Sequence, residues 1–197
     1  MENAAHLQLL RRMENLTPPL FVMGGFAEDA LLHHCLTRQR KDLDLLVERE
    51  GLHLCIRQLE SLGVASLEVD LADSVGNPLC LRSQPPAPAV DVWVCKRQVN
   101  ARYSLELPGE LPGKPSDSGR FRLLLPPDTF EMPPTDIDGI SIHVVSPLAL
   151  YLLRETSART RSKADGGTRD REICAALKQA FLGRYRQEQL EPQLASL

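Results

Sequence analysis

Gly24-Gly25-Phe26-Ala27-Glu28-Asp29-Ala30-Leu31-Leu32, followed a few residues later by Arg38-Gln39-Arg40-Lys41-Asp42-Leu43-Asp44-Leu45-Leu46-Val47, decides how this chain is read. Asp42 and Asp44 are two residues apart, a spacing that on a strand turns both carboxylates to one face. The apolar run Leu43, Leu45, Leu46 and Val47 makes that strand an internal one. Paired carboxylates at the rim of a buried strand repel each other and are costly to desolvate unless a cation neutralises them. A divalent metal is the economical explanation, with Asp91 as a third oxygen ligand from a neighbouring strand. Hard oxygen ligands of this kind suit Mg2+ and phosphate substrates. Upstream, a strand ending in Gly24-Gly25 lets the backbone approach a phosphate closely. The helix that follows offers free N–H groups and the positive end of its dipole.

Each of these signals is weak alone. Two glycines after a strand are commonly a tight turn, and strand ends commonly carry acids. In this order, with an apolar strand around the charges, they reinforce one another. Asp91 has two readings. The alternation of Val90, Val92 and Val94 puts it on the same face as Trp93, as a metal ligand or as a solvent-facing acid on an edge strand. Glu68 and Asp70 are rival third carboxylates on the preceding strand.

The rest of the composition narrows the class. The 197 residues are 43% hydrophobic, enough for a real core, as one domain with or without a small helical appendage. With 23 basic and 26 acidic residues the net charge is −3, which gives no global field for nucleic acid. Cys35, Cys55, Cys80, Cys95 and Cys174 are widely spaced, odd in number and without a CxxC pair. Most are expected as small core residues in a reducing cytoplasm, not as a zinc site or a disulfide framework. The first 16 residues read as an amphipathic helix with internal arginines and not as a signal peptide. No apolar run approaches the roughly 18 residues of a membrane span.

Along the chain, helical spacing is expected over 3–16, 26–35 and 51–62, and strands over 20–23, 42–47, 64–69, 79–82 and 89–94. Residues 98–119, rich in Pro and Gly, read as a long loop. Strands follow at 120–125 and 140–145. Ser146-Pro147 is a helix start, Ser as N-cap and Pro in the first turn. A last helix runs from 168 to about 182, with a continuation towards 190 left open. The expected fold is α+β, a mixed β-sheet flanked by helices, divided into a sheet domain with an N-terminal helix over 1–145 and a C-terminal helical part over 146–197.

The glycine opening and the Asp42-Leu43-Asp44 strand resemble the signature of the nucleotidyltransferase superfamily. The branch of lincosamide and aminoglycoside nucleotidyltransferases and related toxin-type enzymes is the most similar. Gly24, Gly25, Phe26, Ala27, Arg38, Asp42 and Asp44 fall on its pattern of Gly-Gly-aromatic-Ala, then an Arg four residues before Asp-hydrophobic-Asp. Ile142 to Leu150 resembles its strand-to-helix step, and the likeness spans roughly residues 18–180. The resemblance implies a nucleotidyltransferase-like fold and Mg2+-dependent transfer of a nucleoside monophosphate from a nucleoside triphosphate to an acceptor hydroxyl. Asp42, Asp44 and Asp91 would be the catalytic and metal-binding residues, and Gly24, Gly25, Arg38 and Lys41 the nucleotide-binding ones. The acceptor would be a small aminoglycoside-like molecule, with a nucleic-acid or protein acceptor as further options. A rival reading is a catalytically inactive relative that binds nucleotide or a protein partner.

Around this core, Arg38, Arg40 and Lys41 form a basic cluster leading into the Asp42 strand, either a solvated loop or a phosphate contact through Arg38. Asp29, one turn into the Gly-Gly helix, sits either at the mouth of the site or facing water, and the second is expected. His33 and His34 precede Cys35 at that helix's end, where hard Mg2+ would pass over imidazole. The chain departs from the family at Arg154, where the family usually carries Lys, and over 98–119.

Overall fold

The computed structural model describes residues 2–85, 88–109, 119–160 and 167–196. In chain order the elements are α1 (Glu2–Met13), β1 (Phe21–Val22), α2 (Gly24–Leu32), β2 (Leu43–Glu48), α3 (Leu52–Ser61), β3 (Leu67–Ala72), β4 (Pro78–Ser83) and β5 (Val90–Arg97). Then come β6 (Tyr103–Pro108), β7 (Arg120–Leu125), β8 (Thr135–Ile137), β9 (Ile140–Val144), α4 (Pro147–Thr160), α5 (Thr168–Phe181), α6 (Gln187–Leu190) and β10 (Gln193–Ser196). The fold is α+β, as expected.

Two compact units share these elements: Met1–Lys96 with Phe130–Val145, and Arg97–Thr129 with Ser146–Leu197. One break falls between Val145 and Ser146, and Arg97–Thr129 groups with the C-terminal helices.

In the first unit the strand order is β8-β9-β1-β2-β5-β4-β3. β1 runs parallel to β9 and antiparallel to β2, while β2 and β5 are parallel neighbours. β4 is antiparallel to both β5 and β3. Leu43, Leu45, Val90, Val92 and Val94 form one buried face of the central pair, the consequence of strict alternation in two internal strands. α2 buries Phe26, Ala27, Ala30 and Leu31, so the glycine pair is anchored to an apolar helix. β3 begins three residues later than the spacing predicts. The reason is local: Gly63 has φ +83 and Val64, itself buried, donates its N–H to the Leu59 carbonyl at 3.0 Å. Val64 thus closes α3 instead of opening a strand.

In the second unit β6, β7 and β10 pair antiparallel in that order. β6 overturns the expected loop over 98–119: Tyr103 and Leu105 alternate inward and pair with Leu125 and Leu123, so a partner strand organises what the flanking Pro and Gly residues obscured. The part of that loop at 110–118 lies outside the described residues. α5 ends at Phe181 and does not continue to 190; α6 and β10 follow, and β10 was not foreseen in so short and polar a segment. β8 was not foreseen either. The Ser146 cap forms as expected, its Oγ accepting from the Ala149 N–H at 3.3 Å.

Among the described residues, no helix is long and apolar enough to cross a membrane. Cys55, Cys80, Cys95 and Cys174 are buried thiols, and Cys35 is an exposed one.

Candidate active site

β1 ends at Val22, and the chain enters α2 through Gly24, whose φ of +63 is a left-handed conformation that favours glycine. The Met23 N–H donates to the Asp44 carbonyl at 2.9 Å, which pins this corner to β2. A Cβ on Gly24 would lie 2.1 Å from Asp44 Oδ2. A Cβ on Gly25 would lie 2.5 Å from Arg40 Nη1. Each glycine therefore makes room for one charged side chain, Gly24 for the Asp44 carboxylate and Gly25 for the Arg40 guanidinium.

Asp44 pairs in register with Asp91 across the parallel strands β2 and β5, and Arg82 of β4 stands opposite Asp91 on its other side. Directly paired residues share a sheet face, and adjacent strands lie about 4.8 Å apart. Asp44, Asp91 and Arg82 thus form one row across three strands, and Glu68 of β3 extends it opposite Arg82. Asp91 is 5% exposed and sits on an internal strand, which removes the edge-strand reading. Both its oxygens accept from Arg82, at 2.8 Å from Nε and 2.8 Å from Nη2. The rival Asp70 also faces Arg82, 3.5 Å from Nη1, while Glu68 accepts from Gln84 at 3.3 Å.

Electrostatics on this face follow from burial and charge. The hydrogen bonds it donates to Asp91, with the charge of that carboxylate, hold the Arg82 guanidinium still further above its usual range. Burial pushes the Cys80 thiol up to about 12, and the charges of Asp91, Asp70 and Asp44 add to that rise.

Asp42 immediately precedes β2 and is exposed, as are Arg38 and Lys41. Among the described residues, no group of three or more His, Cys, Asp or Glu side chains is arranged to hold a metal ion. Asp44 and Asp91 are therefore brought together, Asp42 stands at the open end of the same strand, and Arg82 occupies the face of Asp91. Arg82 escaped sequence reading because only strand register places it there.

A second buried charge cluster lies under α2. Arg40, 4% exposed, donates from Nε to Asp29 Oδ2 at 2.9 Å and approaches the same oxygen from Nη2 at 2.7 Å. Its Nη1 is 3.6 Å from Glu28 Oε2. Thr37 Oγ1 donates to Asp29 Oδ1 at 2.6 Å. Asp29 is 1% exposed, against the expectation that it faces water. The signal was present in the sequence: adjacent acids on an otherwise apolar helix require a buried cation, and Arg40 supplies it. The Asn3 side chain accepts from the Arg40 N–H and donates to the Arg38 carbonyl, so α1 holds the loop that delivers Asp42 and Asp44. Arg154, in the second unit, pairs with Asp170 at 3.4 Å.

With its mixed sheet and the glycine-opened helix beside β2, the chain has a fold like that of solved nucleotidyltransferases. ANT(2'')-Ia in complex with adenylyl-2''-tobramycin matches with a TM-score of 0.59 and 22% identity, over 95% of this chain and 94% of that one. The solution structure of ANT(2'')-Ia, described as an antibiotic-resistance factor, matches with a TM-score of 0.50 and 21% identity, over 94% of this chain and 95% of that one. The lincomycin-bound lincosamide antibiotic adenylyltransferase LnuA gives a TM-score of 0.48 and 17% identity, over 90% and 94% of the two chains. Neither a protein-family model nor a curated protein sequence matches this chain.

Proposed function

We propose that the protein is a nucleotidyltransferase, which moves a nucleoside monophosphate from a nucleoside triphosphate to a hydroxyl of a small acceptor and releases pyrophosphate. One observation carries this reading: Asp44 and Asp91 stand in register on adjacent strands, with the Asp44 carboxylate against the bare Gly24 backbone at the start of α2. The likeness of the fold to ANT(2'')-Ia supports it, and the adenylyl-2''-tobramycin in that structure supports an aminoglycoside-like acceptor. A net charge of −3 offers no broad attraction for a long nucleic acid. The buried thiols suit a reducing cytoplasm.

Asp42 and Asp44 fit Mg2+ as hard carboxylate donors, Asp44 with one oxygen seated against the bare Gly24 backbone. Bound there, Mg2+ would offset the charge of the triphosphate and of the departing pyrophosphate. Gly24, Gly25 and the first free N–H groups of α2 receive the phosphates. Arg38 and Lys41, both exposed, reach the outer phosphate oxygens. The acceptor oxygen attacks the α-phosphorus, and the bond from that phosphorus to the bridging oxygen of the β-phosphate breaks. Pyrophosphate leaves with the electron pair, and the hydroxyl proton passes to Asp91.

The test is release of pyrophosphate from each nucleoside triphosphate with Mg2+, against pools of aminoglycosides and other hydroxylated small molecules. The wild type should turn over with at least one pair, and Asp44→Asn should lose about 10²–10³-fold in kcat. Triphosphate binding with no turnover in any pool would make the protein a nucleotide-binding relative. No triphosphate binding at all would remove the reading.

A further inference from the structure

Resting on the proposed transfer reaction, we infer that Arg82 fills the charge position of a second divalent cation, so that the site takes one such ion, on Asp42 and Asp44, instead of two. Two-metal phosphoryl-transfer sites hold ions about 3.5–4 Å apart between bridging carboxylates. Here the carboxylates available for bridging are Asp44 and Asp91, in register on neighbouring strands. Both oxygens of Asp91 already accept from one guanidinium at 2.8 Å, in the bidentate fork that matches a carboxylate. A dication on Asp91 would have to share those oxygens with a fixed positive charge and would be repelled by it.

The placement of Arg82 supports the same conclusion. It is the residue paired with Asp91 on β4, and Asp70 faces its Nη1, so the guanidinium is held between two carboxylates. Its side chain is 49% exposed while that of Asp91 is 7% exposed, so the positive charge lies on the open side of the carboxylate. Arg82 is thus a positioning residue: it fixes Asp91 and supplies the positive charge beside it without metal, and a second lone pair on each Asp91 oxygen stays open to the hydroxyl proton. The single ion is assigned to Asp42 and Asp44.

The experiment counts ions. Wild-type full-length protein is saturated with adenosine 5'-(α,β-methylene)triphosphate and titrated with Mn2+, and free Mn2+ is read by its electron paramagnetic resonance signal. The wild type should hold one Mn2+ per chain–analogue complex. Arg82→Gln, which keeps polarity and removes the charge, should hold two. Asp91→Asn should leave the count at one and the Mn2+ affinity within about threefold of wild type, whereas loss of a true ligand would weaken it tenfold or more. Two ions in the wild type overturn the inference, as does a count of one in Arg82→Gln, or a tenfold loss in Asp91→Asn. Should Arg82→Gln fail to fold, the wild-type count and Asp91→Asn decide the matter between them. A wild type that binds neither analogue nor ion overturns the transfer reading together with this one; a wild type that binds two ions overturns this one alone.

Discussion

Replacing Arg40 by Met would strand two buried carboxylates. Arg40, Asp29 and Glu28 are 4%, 1% and 2% exposed. The guanidinium makes two close approaches to Asp29 Oδ2, at 2.9 and 2.7 Å, and a longer one of 3.6 Å to Glu28. Met fills much of the same volume, so the loss is one of charge and hydrogen bonding and not of packing. Removing one partner from a buried ion cluster costs about 3–5 kcal/mol, because the remaining charges have no compensation. That is a large share of the roughly 5–15 kcal/mol that holds a domain folded. At about 2–4 °C per kcal/mol for a chain of this size, the melting midpoint should fall by about 6–20 °C. Trp93, the chain's one tryptophan, sits on β5 in the same unit, so its fluorescence in urea reads this unit directly. The triple change Arg40→Met, Asp29→Asn and Glu28→Gln, which removes the formal charges together, should recover at least half of the loss. A fall under about 1 kcal/mol for Arg40→Met, or a triple variant as unstable as the single one, would refute the charge argument.

Two further outcomes are expected. Gly24→Ala places a Cβ 2.1 Å from Asp44 Oδ2 at a φ of +63; it should cost about 1–3 kcal/mol of stability and abolish the thermal shift given by a triphosphate with Mg2+. A full ligand-induced shift in that variant would show that the Asp44 carboxylate does not depend on the bare backbone. His143 lies against Phe21, and burial holds its pKa below the ordinary 6.5. The unfolded chain therefore takes up that proton first, so stability present above pH 6.5 is lost as the pH falls through the lowered value. Urea midpoints between pH 7.5 and 5.5 should show this slope in the wild type and a shallower one in His143→Gln; equal slopes would count against it.

The sequence by itself was enough for the centre of the first unit. Strand β2, helix α2 behind its glycines and the alternating strand β5 are all written in local periodicity, because internal strands and an apolar helix show their burial residue by residue. The Asp-x-Asp spacing, too, is a local property. What periodicity does not encode is which strand lies beside which. Asp91 reads as ligand or as edge acid until β5 is set between β2 and β4. Arg82 gains meaning only when register brings it opposite Asp91. In the same way β6 and β10 carry little signal of their own and become strands because β7 offers both of its edges. Asp29 and Arg40 were legible as charges but not as a pair, since they are eleven positions apart, across the end of α2 and the loop after it. Local pattern sets which faces are apolar, and only the closed chain decides which charges must share one buried place.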